Sequence, residues 1–369
     1  MTADRAWTRL NLAALCALVL GVVGCAVGAV IDVTGFFRAW LCTFLFWLGV
    51  PLAGVTLVLV HDLSGGEWMA TARPVLNAAI AMMPIGSLAG IPAFIGLHEL
   101  YSWTHPAPSL GNTFYLNPDA FLLRYAIYVV LWNLLAGFAL WGPRQEAEPI
   151  APGLSWLSGV ALTLLAFSAA FASIDWILSL EPTFWSSIFP MIAGSGWFTT
   201  GLAFVLLVVA ASPALGGRNR EQMADIAAIL LATTIFWAYV DFMQLLIIWE
   251  ENLKSEIPWY LIRIAGPWAG ALIVSVGFGF FVPFFALLTH PGKRSRVVVG
   301  TVCSLMLISR IADKWWLVLP EFRRAGPFWL DAAAILALGG LMLLTFLWGL
   351  RYPGVVRLGA IHSWKIYHG

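Results

Sequence analysis

Five polar side chains lie inside two long apolar runs of the sequence, where charged residues are rare. They are Asp241, Gln244, Arg310, Asp313 and Lys314. The first two are three residues apart and so share one face of a helix, and the other three fall within little more than one turn. Within lipid, an ionisable side chain needs a partner or a wet cavity, so such residues point to function. The set favours a proton relay or a quinone site; the alternative is a satisfied ion pair that merely ties helices together.

The spacing also predicts how these charges meet. Counted back from the outer ends of their runs, Asp241, Arg310 and Asp313 lie within about 5 Å of one depth, at about 1.5 Å per residue. Arg310 is therefore expected to pair with Asp241, with Asp313 or with both. Burial favours the protonated form of a carboxyl group, and a neighbouring arginine favours its charged form. A proton relay requires such a competition.

A second set of polar residues is predicted near the outer membrane surface: His98, Glu99, Arg124, Asp175 and Glu181. Ordinary loop and interface positions explain several of them equally well. On the opposite side, His61 and Asp62 close an apolar run. That pair is a candidate proton entry, and a solvated helix end is the alternative.

Ten apolar runs must position these side chains. They cover roughly 10–31, 39–60, 75–97, 120–142, 154–178, 186–211, 224–249, 266–289, 297–319 and 327–350. The chain is 61% hydrophobic and 11% charged, against about 25% charged in soluble domains. About 20 apolar residues suffice for a helix to cross a bilayer. The sequence predicts an all-α polytopic membrane protein with about ten transmembrane helices, in one integral membrane domain over 1–369.

Lysine and arginine predict the orientation. An even number of helices places both termini on one side, and that side carries twelve lysines and arginines against six on the other. The positive-inside rule then predicts that both termini are cytoplasmic. Residues 22–25 resemble a lipoprotein cleavage box that ends at Cys25. The apolar run continues past Cys25 to Ile31, which favours an uncleaved spanning helix over a cleaved signal.

Two segments indicate an internal repeat. Pro182 follows Asp175 by seven residues, and Pro320 follows Asp313 by the same spacing. This match predicts that helices two to five and six to nine form two similar four-helix bundles.

Several kinds of site have no signal in the sequence. The four cysteines stand singly, and neither a metal-ligand spacing nor a nucleotide-binding loop is found. No pair of histidines suits a bis-histidine haem, and a formal net charge of +1 gives no reason to expect nucleic-acid binding. We therefore expect no metal and no catalytic residue, and no cofactor bound by this chain.

Three segments carry a family resemblance. The longest reads FWAYVDFMQ at 236–244, IWEENL at 248–253 and IPWY at 257–260, with Arg263 after it. The others read IDWILSLEP at 174–182 and LYSW at 100–103. Together they resemble the ActF-type membrane subunit of bacterial alternative complex III, within the NrfD/PsrC-like group, over roughly residues 60 to 360.

The resemblance implies two four-helix bundles with two peripheral helices. The first peripheral helix and the start of bundle one would lie in 10–60, bundle one in 39–178, bundle two in 186–319, and the last peripheral helix in 327–350. It also implies a cofactor-free subunit of a quinol:cytochrome c oxidoreductase in a bacterial cytoplasmic (inner) membrane, a candidate for proton translocation. The implied partners are a homologous quinone-site subunit, an iron–sulfur subunit and haem c subunits, so the complex would hold haem c and iron–sulfur clusters, with quinone nearby.

The sequence departs from that family at Asp241, where a small neutral residue is expected, and at Glu250 and Glu251. Glu250 and Glu251, with Trp259 and Tyr260, mark a predicted contact surface for periplasmic partners. Two other functions remain open: a free-standing proton-coupled secondary transporter, with helices broken at prolines, and a purely structural membrane anchor.

Overall fold

The computed structural model describes residues 2–105, 114–141, 155–212, 220–322 and 328–353. Ten long helical segments run through these ranges, which contain no strand. They are α1 (Thr2–Ile31), α2 (Val33–Ser64), α3 (Arg73–Ile95), α4 (Pro118–Leu140), α5 (Ser155–Trp176), α6 (Phe189–Ala211), α7 (Arg220–Glu251), α8 (Pro267–Leu288), α9 (Arg296–Val318) and α10 (Phe328–Arg351). Shorter helices cover Leu97–Leu100, Ile257–Arg263 and His290–Arg294, and single 3-10 turns cover Ser102–Thr104, Leu178–Leu180 and Leu319–Phe322.

All ten predicted runs are helical. Within the described ranges, nine of the helices are long and apolar enough to cross a membrane. The remaining one, α9, has a similar length of 23 residues but carries the charged cluster at Arg310, Asp313 and Lys314. The chain is an all-α polytopic membrane protein.

Local sequence explains where several helices begin. Asp32, Asn117 and Ser295 cap α2, α4 and α9, because each side-chain oxygen accepts a hydrogen bond from the backbone N–H three residues later. Such caps satisfy donors that the first turn leaves free.

Two helices are interrupted. Within α3, the pieces Arg73–Ile80, Met83–Leu88 and Ile91–Ile95 each carry proline in their first turn. Proline cannot donate the hydrogen bond that would continue the preceding helix. In α8, a π-helical turn at Gly277–Phe281 separates Pro267–Val276 from Val282–Leu288. Such turns widen the helix and are frequent at functional sites.

The helices form two four-membered bundles and a peripheral pair. In the first bundle, α2, α3, α4 and α5 contact one another in cyclic order, and α6, α7, α8 and α9 do so in the second. Consequently α7 and α9 face each other diagonally. The bundles meet mainly through α2 and α6, which approach closely because Gly201 lies against the carbonyl oxygen of Gly49.

The peripheral pair consists of α1 and α10, which make the most extensive contact between any two helices of the described ranges. Gly21 lies against the backbone of Ala337, and Gly340 against that of Leu18, so the two helices run antiparallel. Arg351 lies over the ring of Trp7 at 5.9 Å. The beginning of α1 and the end of α10 therefore share one end of the protein.

Candidate functional site

The charged residues of α9 point into the second bundle. Arg310, Asp313 and Lys314 are all buried, with exposed fractions of 1%, 4% and 1%. Lys314 Nζ donates a hydrogen bond to Asp313 Oδ2 at 2.9 Å. The ion pair thus forms between adjacent residues of the sequence. Of the two cations in this cluster, one has no ion pair with a described residue.

That cation is Arg310, and its contacts differ from the predicted ones. Its guanidinium carbon lies 3.9 Å from the centre of the Trp237 ring on α7, and Nη2 donates to Ser309 Oγ at 3.3 Å. Nε and Nη1 have no hydrogen-bond partner among the described residues. The expected ion pair of Arg310 with Asp241 or Asp313 is not formed, because Lys314 takes the carboxylate of Asp313 and the guanidinium packs on Trp237, one turn before Asp241.

Glycines on two other helices make room for these charges. A Cβ at Gly196 of α6 would lie 3.5 Å from Lys314 Nζ and 3.9 Å from Arg310 Nη1. On α8, Gly279 lies in the π-helical turn, and a Cβ there would overlap Arg310 Nη2 and Ser309 Oγ. All four helices of the bundle therefore border the charged cluster.

Asp241 lies on α7, one turn beyond Trp237. Its carboxylate is close enough to Arg310 and Asp313 to interact electrostatically with both. It makes no hydrogen bond or ion pair with any described residue. The carboxylate of Asp241 therefore has open hydrogen-bonding capacity.

Asp241 lines a cavity of about 510 Å³ between α7 and α8. Apart from Asp241, its walls are almost entirely apolar and include Trp237, Tyr260, Leu272, Phe280 and Trp316. Its rim faces the membrane, because the lining residues Tyr239, Phe242 and Phe281 are more than half exposed. The cavity connects the lipid-facing surface with the carboxylate of Asp241.

Gln244 does not join the charged cluster. It is buried, accepts a hydrogen bond from Ser186 Oγ, and donates from Nε2 to the Tyr260 hydroxyl at 3.0 Å. Since Tyr260 also lines the cavity, Gln244 fixes one wall of it.

A second buried ion pair, Arg263 with Glu321, closes the end of this bundle at which α7 and α9 finish. Arg263 also donates to the carbonyls of Trp259 and Leu317, each at 2.9 Å. Burial lowers the pKa of Arg263 to about 10, although Glu321 opposes that shift. Burial likewise raises the pKa of Glu321, against the effect of Arg263. The sequence does not predict this ion pair, because the two residues are 58 positions apart. The available signal was the position of Arg263, one helical turn after Trp259.

The predicted contact surface divides into two parts. Glu250 and Glu251 are exposed, as is the neighbouring Trp249 at 77%. Trp259 instead is 5% exposed and stacks on Phe184 with 4.6 Å between ring centres. Trp259 is therefore part of the core, and of the four residues only the two glutamates offer a freely exposed surface.

Asp175 belongs to the first bundle and is fully paired. Arg124 donates to both of its carboxylate oxygens at 2.9–3.1 Å, and the Tyr128 hydroxyl donates at 2.7 Å. Arg124 in turn lies 3.9 Å from the centre of the Tyr115 ring. These contacts describe a satisfied structural ion pair that holds α4 to α5.

The remaining candidates lie apart from the charged cluster. His98 and Glu99 are exposed beside the start of α2, where Thr34 Oγ1 donates to Glu99 at 2.9 Å. His61 and Asp62 are buried at the far end of α2. His61 contacts the Gly66 carbonyl at 2.9 Å, and Asp62 accepts from Ser158 Oγ at the same distance.

The residues that converge are thus Asp241, Arg310, Asp313 and Lys314, with the α7–α8 cavity beside them. We refer to this set as the bundle-two site. Comparison with known proteins adds no further information about it: no protein-family model matches the chain, and no curated protein does so either.

Proposed function

We propose that this chain is a cofactor-free integral membrane subunit of a quinol:cytochrome c oxidoreductase of the alternative complex III type, and that its second bundle carries protons. The chain itself would be non-catalytic or proton-translocating. The observation that carries this proposal is the buried guanidinium of Arg310. Two of its nitrogens have no hydrogen-bond partner among the described residues, and it interacts electrostatically with the paired carboxylate of Asp313 and with that of Asp241, which pairs with no described residue.

Energetics favour a functional reading of that arrangement. Burying charge in a membrane bundle is costly, and leaving part of it unpartnered costs more. A merely structural ion pair would be expected to satisfy its own groups, as Asp175 and Arg124 do in the first bundle. A charged side chain with free hydrogen-bonding positions can instead bind water, and a carboxylate among such side chains can bind and release a proton.

Asp241 is the residue that we propose to load and release the proton. The apolar cavity on one side favours its neutral form, and Arg310 on the other favours its charged form. A small change in the position of Arg310 would shift that balance. The ion pair of Asp313 with Lys314 stays in place and takes no part in the exchange between Asp241 and Arg310.

Co-purification tests the membership of a complex. After solubilisation in a mild detergent, we expect the chain to purify with a homologous membrane subunit, an iron–sulfur subunit and haem c subunits. A lone monomer or dimer that transports a solute when reconstituted would instead support the secondary transporter. A complex whose proton-coupled turnover is unaffected by loss of the bundle-two charges would support the structural anchor.

The α7–α8 cavity favours a second contribution, support of a quinone site. Its volume falls within the range of small-molecule pockets, and it combines apolar walls, an opening toward lipid and one free carboxylate. A photoreactive quinone should label α7 and α8, and Leu272→Trp should abolish the label by filling the cavity. Ile273→Trp is the matched control, since Ile273 faces away and is 71% exposed. Equal labelling of all lipid-facing helices would count against this role.

We propose further that both termini are cytoplasmic and that the host membrane is a bacterial inner membrane. The antiparallel pairing of α1 with α10 supports a common side for the two ends of the chain. A reporter fused after Gly369 should be active only in the cytoplasm. Activity only in the periplasm would overturn the orientation.

A further inference from the structure

The shared end of α1 and α10 gathers cationic and aromatic side chains around two cavities. The first has a volume of about 350 Å³ and is lined by Trp7, Thr8, Asn11, Leu347, Trp348, Arg351 and Tyr352. The second, of about 500 Å³, is lined by Arg5, Thr8, Arg9 and Leu12. Because Thr8 borders both, the cavities lie side by side on the surface of α1.

The charge of this region is strongly positive. Arg5, Arg9 and Arg351 are exposed, and none of them forms an ion pair with an acidic side chain that the structure describes. In the sequence, Asp4 is the single acidic residue before Asp32, and residues 354–369 contain none. Residues 354–369 instead contain Arg357 and Lys365, so the sequence that follows Arg351 is basic.

An apolar surface continues from the cavities toward the membrane interior. Leu12, Leu15 and Val19 follow Arg5 and Thr8 at helical spacings of three and four residues, so all five share one face of α1. These three apolar side chains are 58%, 48% and 54% exposed. A cationic head region thus leads directly into an open apolar stripe.

Aromatic residues mark the depth of this region. Trp7, Trp348 and Tyr352 all border the first cavity, and the last two are 47% exposed. Tryptophan and tyrosine collect at the boundary between headgroups and hydrocarbon. The arginines beside them therefore lie at the level of lipid phosphates.

We propose that this corner binds one anionic phospholipid. Arg5, Arg9 and Arg351 contact its phosphate and headgroup, and an acyl chain lies along Leu12, Leu15 and Val19. The occupant must combine negative charge with a long apolar chain, because the arginines and the apolar stripe form one continuous surface. This site is separate from the bundle-two site and does not depend on the proposed function.

The test measures the affinity of the purified full-length chain in detergent for a fluorescent phosphatidylglycerol and for the matched phosphatidylcholine. The anionic lipid should bind more tightly, and the double substitution Arg5→Gln with Arg9→Gln should weaken it about 25-fold, at about fivefold per arginine. Phosphatidylcholine binding should hardly change, which shows that the variant is folded. Soluble glycerophosphate should not compete, since it lacks the acyl chain.

The control is Arg220→Gln with Lys293→Gln, which removes the same charge from the same end of the helices. It should leave phosphatidylglycerol affinity within about twofold of wild type. An equal loss in both double variants would reveal general electrostatic attraction and overturn the site. Equal affinity for the two lipids, or full competition by glycerophosphate, would overturn it as well.

Discussion

Gly279 offers the sharpest structural test of the bundle-two site, through the substitution Gly279→Ala. An added Cβ would overlap Arg310 Nη2 and Ser309 Oγ, so the guanidinium must shift from its position over Trp237. Forcing an extra methyl group into a packed interior costs typically about 1–3 kcal/mol. We expect a loss of stability in that range, with a perturbed Arg310.

The matched control is Gly277→Ala in the same π-helical turn. A Cβ at Gly277 has no heavy atom within 4 Å, and alanine favours helix over glycine by up to about 1 kcal/mol. Gly277→Ala should therefore be neutral or slightly stabilising.

The assay is reversible unfolding of the purified chain in mixed micelles, followed by circular dichroism. Proton-coupled turnover of the assembled complex gives a second readout, which should fall in Gly279→Ala but not in Gly277→Ala. If both variants unfold alike and retain full turnover, Arg310 is not confined as described and the reasoning fails.

Three further predictions concern other parts of the molecule. Asp175→Asn should destabilise the chain by about 3 kcal/mol because it leaves a partly buried arginine unpaired. The control, Asp119→Asn on the exposed first turn of α4, should cost less than about 0.5 kcal/mol. Unfolding in mixed micelles measures both free energies. Because burial raises the pKa of Glu321 above its ordinary 4.5, the folded chain holds a proton that the unfolded chain releases, so stability should fall as the pH rises through and above 4.5. Glu321→Gln should flatten that slope, and an unchanged slope would refute the assignment. Reversing the charges of Glu250 and Glu251 to lysine should weaken binding of the proposed periplasmic partner subunits, as measured by co-purification. An intact complex would count against this contact surface.

The helices were largely predictable, since about 20 apolar residues in a row have few alternatives to a spanning helix. The predicted run 186–211 appears as Phe189–Ala211, and 297–319 as Arg296–Val318. The main error is at α2, predicted as 39–60 and observed as Val33–Ser64. Arg38 and His61 seemed to end the run, but both are buried within the protein, so the helix continues past them.

The site was predicted less well, because pairings depend on the packing of distant segments. Hydrophobicity and helical rise brought Asp241 and the α9 charges to one depth. They did not reveal that Lys314, adjacent to Asp313, would form the ion pair, nor that Arg310 would lie over Trp237.

Direct measurement of proton movement tests the central claim. The assembled complex is reconstituted into vesicles, and the protons moved per electron are compared for wild type, Asp241→Asn and Asp225→Asn. Asp225 is the matched control because it lies exposed on the same helix, 16 residues or about 24 Å away. The account predicts that Asp241→Asn assembles normally but moves fewer protons per electron, while Asp225→Asn behaves as wild type. Full proton-coupled turnover in a well-assembled Asp241→Asn complex would contradict it.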